Sequence, residues 1–583
     1  MKFEKKVLCL LTAAALGISL FGCSAPKNEP AETPAPSTPA AQVYSASAQG
    51  NNGAVNVEVT VEDGVVTAVA VTEHQETAGI CEAAIEKIPA AIVAGQTLNV
   101  DAVSGATNTS NAILNAVAAA LTEAGIDADA WRTKESAAAE NLAKTEDVTV
   151  STLVVGAGGA GMRVAIDLTK AGHDVMLIEK QSMVGGATNL AATYLVVMDT
   201  EEQKAAGVAT MSIEDYVAKQ LQLNPDFNEA RLTEMLESSQ EILDWFQDLG
   251  ADFTRPMSYY QIGTSDGSSL GVEMVRVMKA ELEKAGVNLR LNTKAVSLIE
   301  EDGKIKGVVA EDETGSYNIF ADNVVLATGG YGASDEAVAK YTSKWAGLPS
   351  TTAAGSTGDG HAMAEEVGAE FEQIDNVRLN PSVYSDGNVS VSLSAARTAG
   401  AIMVNMNGER FCDEYITDYT TLSSHMMDQE GEYCYLIMDQ VSLDASKRLQ
   451  GFYDAGYIVK ADTIEELAEL IGVPAENLKK TVETYGGYVK HQKDEAFGRT
   501  MYMNTALETA PYYAVHTEPG IQVSLGGVKV NEDLLVVKTD GTAFDNLYAI
   551  GELAGDGLFG SAPTTINVFE GGKVAKAILE KSN

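Results

Sequence analysis

Two stretches of the chain hold residues whose types and spacing can do chemistry. The first is Gly156-Ala-Gly158-Gly-Ala-Gly161, which directly follows the apolar run TLVV and precedes a helical pattern. In such a unit the first glycine makes a tight turn, the second admits a pyrophosphate, and the third lets helix and strand pack closely. The phosphate then meets the free N–H groups and positive dipole end of the helix. Glu179 ends the next apolar strand, about twenty residues on, where a carboxylate can bind ribose hydroxyls. These residues predict a dinucleotide site, and the glycines alone serve FAD and NAD equally. The second stretch is 101-DAVSGATNTS-110, small and polar, running into the apolar NAILNAVAAAL. By composition it reads as a helix cap, and it leaves open whether Thr107 also carries a group.

The elements that position these residues follow from the chain's texture. A length of 583 residues predicts two to four domains. The 82 carboxylates against 40 Lys and Arg leave a net charge of −42, which disfavours nucleic acid and repels an anionic membrane face. Lys2, Lys5 and Lys6 precede VLCLLTAAALGISLF and then Gly22-Cys23. A basic start and a short apolar run predict a signal segment over 1–22, too short for a transmembrane helix. LFGC resembles a bacterial lipobox, so Cys23 is expected to be lipidated and to hold the protein at the outer face of the cell membrane. Residues 23–42 are rich in Pro and Ala and predict an extended tether. The five Cys show no CxxC and no CxxCH, and the six His are scattered, so neither a metal site nor c-type haem is expected.

Residues 43–130 predict a small α+β domain. Two alternating runs flank Glu62-Asp63-Gly64, a hairpin signature, and helical patterns follow over 79–94 and 108–124. A linker helix is expected over 131–147. Strand–helix alternation then runs from 148 to about 330, an irregular region covers 373–520, and 521–583 returns to strand, glycine turn and helix. One fold interrupted by an inserted domain has this order.

Beyond GAGGAG, the pieces IEKQSMVGGATNLAA, ATGGYGAS, GSTGDG, AARTAGAIMVNMNGERFCDE, YLIMD and NLYAIGE resemble the soluble FAD-dependent fumarate reductase family, with flavocytochrome c and urocanate reductase. The resemblance covers about 148–583. It implies an α/β, Rossmann-like FAD-binding domain in two parts, 148–372 and 521–583, with an α+β clamp domain inserted between them. It places Gly185, Gly186 and Thr188 along the FAD, and Asp359 and Glu552 at the cofactor or its turn. The family passes hydride from flavin to one carbon of an activated C=C and a proton to the other; its proton-donating arginine corresponds to Arg397.

The chain departs from the fumarate pattern where that family binds the second carboxylate. The segments DNVRLNPSVY and PGIQVSLGG lack the family's histidines, and no Arg occurs after Arg499. A second carboxylate left unpaired in a closed site costs several kcal/mol. The expected acceptor is therefore an α,β-unsaturated monoacid or an enone rather than fumarate, with Arg378, Asn380, Tyr384 and the 558–565 segment as candidate selectors.

Residues 43–125 resemble the FMN-binding domain of sodium-pumping quinone reductase and Rnf-type subunits, through Asp101-Ala-Val-Ser104-Gly105-Ala106-Thr107. That resemblance implies covalent FMN on Thr107, joined through a phosphoester by a dedicated flavin transferase, with Thr109 and Ser110 as competing hydroxyls. The expected flow runs from a membrane or extracellular donor to FMN, then to non-covalent FAD, then to a small unsaturated acceptor. Two alternatives stand beside it: a dehydrogenase running in reverse on a saturated acid or ketosteroid-like substrate, and a non-catalytic electron-transfer flavoprotein.

Overall fold

The computed structural model describes residues 41–50, 53–76, 81–100, 102–103, 106–134, 145–191, 193–223, 227–387, 389–416, 418–555 and 563–582. The expected signal, Cys23, the tether to 40, most of the linker and the 558–562 part of the selector segment lie outside the described residues, as do Asp101, Ser104 and Gly105.

The small domain opens with β1 (Gln42–Gln49), β2 (Ala54–Glu62) and β3 (Val65–Glu73), an antiparallel sheet in that order. Asp63 and Gly64 have φ of 52° and 79°, the paired left-handed turn whose twist matches two antiparallel strands. Val55, Val57 and Val59 of β2 are buried. They face α1 (Glu82–Gly95) and α2 (Thr107–Glu123), whose Ile88, Ile92, Ile113, Val117 and Leu121 complete the core. The alternation in β2 and the helical stripe in α2 are two periods of one apolar surface.

The large domain is built on a sheet in which Val148–Val155 pairs in parallel with Val175–Ile178 on one side and Gly315–Leu326 on the other. Asn288–Arg290 extends it in parallel beyond Val175–Ile178, and Ala543–Ala549 runs parallel to Gly315–Leu326. The helix Gly159–Lys170 crosses between the first two strands and packs on the C-terminal helix Pro563–Ser582. Strands from sequence ends almost 400 residues apart therefore share one sheet, as an interrupted fold requires.

The inserted domain has a second sheet, with Tyr512–Ser524 at its centre between Val377–Ser385 and Cys434–Asp439. The expected end of the clamp at 520 falls inside this strand, which continues to Ser524 and carries the chain back into the large domain. Its 13 residues are long enough to belong to both: the first half pairs within the clamp, and Ser524 reaches Glu552.

Packing between the two layers isolates His361. It is fully buried, and neither ring nitrogen has a partner among the described residues. Tyr331, Tyr341 and Phe371 surround it at ring distances of 5.3, 5.8 and 6.3 Å. Burial in this apolar box pushes its pKa down to about 3. The unfolded chain binds a proton there near pH 6.5, about its ordinary value, so the folded chain binds fewer protons between those limits. Stability therefore falls as pH drops below about 6.5, by up to about 1.4 kcal/mol per pH unit from this group. Urea unfolding at pH 7 and 5.5 checks this: His361→Phe is expected to lose less stability between the two pH values than the unaltered protein, and equal losses refute the assignment.

Candidate active site

A cleft with about 830 Å³ of space not filled by protein atoms runs along the C-terminal ends of the parallel strands. Gly156, Gly158, Glu179, Gly186, Thr188, Asp359 and Glu552 all line it. The glycine turn is shaped by contact. Gly156 has φ of 103°, and a Cβ on it would lie 2.4 Å from the Ala327 carbonyl oxygen. A Cβ on Gly161 would lie 2.0 Å from the Gly156 oxygen, so helix and turn meet without room for a side chain. Gly158 differs: nothing lies within 4 Å of its Cβ position. It is the N-cap of the helix Gly159–Lys170 and opens on the cleft.

Polar groups hold the cleft in shape. Glu179 accepts from the N–H groups of Ala157 and Gln181, both at 2.8 Å. Burial raises its pKa, and these two donors oppose the rise. Thr188 is buried, and its hydroxyl accepts from Gly159 N–H at 3.0 Å. Gly185 N–H donates to the Ala157 carbonyl at 2.8 Å, which ties the second glycine turn to the first. Asp359 pairs with Lys180 at 2.5 Å and Lys294 at 3.2 Å. Burial alone would raise that carboxyl, but the two ammonium groups outweigh it and hold it low. Glu552 accepts from Ser524 N–H and Oγ at 3.0 and 2.9 Å, with burial raising its pKa. Two cleft atoms, Thr328 Oγ1 and Asn567 Oδ1, are buried without partners among the described residues. Buried polar atoms ordinarily have partners. The orphans, the open Gly158 and the helix N-terminus together fit a bound dinucleotide. Lys180, Lys294, Thr328 and Asn567 are not among the expected site residues; Lys180 and Thr328 lie within the pieces IEKQSMVGGATNLAA and ATGGYGAS, which offered a signal for those two.

Arg397 lies at the clamp side. Its short helix, Ser394–Thr398, buries the side chain, and one terminal N–H group donates to the Glu414 carbonyl at 3.0 Å. Its Nε is buried without an acceptor among the described residues. The guanidinium carbons of Arg397 and Arg378 each lie 4.7 Å from the ring centre of Tyr419, so two cations share one aromatic ring. Burial holds Arg378 below its ordinary value; Tyr419, Tyr194 and Asp418 oppose this, and the Arg397 charge adds to it. The site joins the cleft through the long strand: Arg378 is registered on Val523, and the next residue, Ser524, bonds the cleft carboxylate Glu552.

The other two expected selectors are placed differently. Asn380 donates to Ser392 Oγ at 2.8 Å and accepts from Ser382 N–H at 3.0 Å, so its amide is occupied inside the clamp sheet. Tyr384 stacks on Tyr457 at 4.7 Å, and the Tyr457 hydroxyl donates to the Gly50 carbonyl at 3.2 Å. That puts Tyr384 at the seam with the small domain, because β-strand geometry carries residue 384 some 20 Å along the strand from Arg378, at about 3.4 Å per residue.

In the small domain, α2 begins at Thr107, and its N-cap is Ala106, with no side-chain cap bond. Thr107 is therefore not the residue that caps the helix. The competing hydroxyls are engaged: Thr109 donates to the Glu76 carboxylate, and Ser110 Oγ bonds both Val103 N–H and the Ala106 carbonyl. Both are buried.

Comparison with known proteins agrees with this geometry. An FAD binding domain family matches residues 151–565, and an FMN-binding domain family matches 50–122. A urocanate reductase of Eggerthella lenta is 32% identical over 97% of this chain and 96% of its own length. The chain belongs to the FAD-dependent fumarate reductase-like family. This flavoprotein is also 29% identical to an NADH:acrylate oxidoreductase of Vibrio harveyi, over 91% of the chain and 60% of the relative. The open conformation of a flavocytochrome c3 fumarate reductase superposes with a TM-score of 0.65 at 32% identity, covering 75% of this chain and 79% of that one. The flavoprotein is thus an oxidoreductase that acts on C=C bonds, with FAD- and FMN-binding domains.

Gly158 offers a direct check of the cleft. Gly158→Val places a branched side chain in open space, so the fold is expected to survive while bound FAD drops at least about tenfold. Flavin absorbance per protein and the thermal midpoint measure both; a variant that retains full FAD contradicts the assignment.

Proposed function

We propose that this flavoprotein takes electrons through FMN carried covalently on Thr107, passes them to FAD in the cleft, and reduces the C=C of an α,β-unsaturated monoacid or enone other than fumarate. The observation that carries the reading is the buried Nε–H of Arg397, without an acceptor among the described residues, near the second cation of Arg378. FAD supplies hydride chemistry when bound. Arg397 has a donor held out of water for the carbon opposite the hydride, and the paired charges stabilise negative charge building on the acceptor's carbonyl or carboxylate. Arginine is ordinarily too basic to act as an acid, so the reading rests on the placement of its buried N–H group.

The environment supports one acidic or carbonyl group and an apolar remainder. Tyr194, which lies near Arg378, meets Tyr260 edge-on at 6.2 Å, and Tyr260 meets Tyr259 at 5.0 Å, so rings border the two cations. The relatives named for urocanate and acrylate support an acceptor other than fumarate. The engaged hydroxyls of Thr109 and Ser110 support Thr107 as the attachment point. The basic start, apolar run and Cys23 support a lipid-anchored, extracytoplasmic site with a membrane or extracellular donor; loss of membrane association in Cys23→Ser is the check.

Two measurements test the enzymology. With reduced viologen as donor, unsaturated monoacids or enones are expected to turn over at least about tenfold faster than fumarate, and Arg397→Ala is expected to lower kcat about 100-fold or more; fumarate as the best acceptor sinks the substrate reading. Thr107→Ala is expected to lose covalent FMN by peptide mass while keeping FAD; FMN retained on the 107–110 peptide refutes the attachment.

A further inference from the structure

Two domains that hold different flavins must meet somewhere, and the described contacts show where. Gln181 and Gly186 line the FAD cleft, and Val184 between them is buried in the core of the large domain. The two residues between Gln181 and Val184 turn the other way. Lys87 of α1 donates to the Ser182 carbonyl at 2.5 Å, and Met183 packs against the apolar core of the small domain. One short loop therefore touches the FAD cleft with its ends and the small domain with its middle.

Under the FMN reading above, the flavin-bearing end of the small domain is the start of α2, which is tied toward α1. Thr109, in the first turn of α2, bonds Glu76. Glu76 also acts on Cys81, the N-cap of α1. Lys87 is six residues further along α1, about 9 Å at 1.5 Å per residue. The same end is held a second time: a Cβ at Gly50 would lie 2.7 Å from Glu76 Oε1, and the Gly50 carbonyl accepts from Tyr457 of the clamp at 3.2 Å. The small domain is therefore fastened to both the FAD domain and the clamp.

We propose that the loop Gln181–Val184 is the contact through which electrons pass from the small domain to the FAD cleft, and that Lys87 and Met183 are the positioning residues that keep the two domains in register. This rests on the FMN-to-FAD reading above and adds its route. What crosses is two electrons and, net, two protons, lost by one flavin and gained by the other, so no further reductant enters the step; a donor of the viologen class reloads the first flavin. A single Lys–carbonyl bond and one apolar side chain give a weak fastening, so removing both should loosen the seam without unfolding either core.

The test uses the full chain with both flavins bound. In rapid-mixing absorbance measurements, Lys87→Gln with Met183→Ser is expected to slow flavin-to-flavin transfer at least about tenfold. Flavin content and the rate at which an acceptor reoxidises prereduced FAD should stay unchanged, and Met183→Leu should keep the transfer rate. In the flavin-free chain the double variant should also raise hydrogen exchange at the amides of Ser182–Val184. An unchanged transfer rate at full flavin content, or unchanged exchange at 182–184, overturns the proposal. If the unaltered protein shows no transfer phase at all, the FMN reading itself fails, and hydrogen exchange then decides the docking separately.

Discussion

The chemistry of this flavoprotein depends on how one buried carboxylate is neutralised. Glu414 is fully buried and is held by Arg410 at 2.6 and 2.7 Å and by Arg499 at 3.1 Å. Arg410 reaches on to Asp494 at 2.9 Å, and Arg499 donates to the carbonyls of Ala401 and Tyr502. Burial alone would raise Asp494, but Arg410 outweighs it and holds the carboxyl below its usual range. Such a network adds little net stability over an apolar core, but breaking it leaves an uncompensated buried charge. Its product is position. The Glu414 carbonyl takes one end of the Arg397 guanidinium, and Arg499 meets the Arg397 carbonyl at 3.4 Å. The Nε–H of Arg397 has no acceptor among the described residues.

A similar economy links the clamp to the nucleotide cleft. The strand Tyr512–Ser524 belongs to the clamp sheet, yet its last residue holds Glu552 in the cleft. The residue before it is registered on Arg378. Movement of the clamp is thereby tied to the geometry of the cleft through two adjacent residues. The small domain is fastened to the same two bodies, through Ser182 and Tyr457, so the two flavin-binding domains and the clamp share a single frame.

Much of this was legible without coordinates. Glycine spacing after an apolar strand is a local requirement, because backbone must approach phosphate wherever the strand–turn–helix unit occurs. The hairpin at Asp63-Gly64 is equally local, since only those residue types accept two left-handed positions. Other features were not legible. Nothing near Asp359 in sequence announces Lys180 and Lys294 as its partners. Arg410, Asp494 and Arg499 converge on Glu414 from separate segments. Asn380 and Tyr384 sit in the same strand as Arg378, and only the tertiary structure shows that the Asn380 amide is occupied and that the Tyr384 ring is stacked on Tyr457.

The sequence by itself determined the fold class and the two flavin-binding domains, and it nominated Gly158, Thr107 and Arg397 as candidates, because turns, periodicity and residue type are properties of short stretches. Tertiary structure alone decided which hydroxyls near Thr107 are engaged, which N–H of Arg397 lacks an acceptor among the described residues, and where the small domain meets the large one. Those outcomes depend on contacts between residues tens to hundreds of positions apart, and burial sets their chemistry by removing water and leaving only the partners that packing supplies.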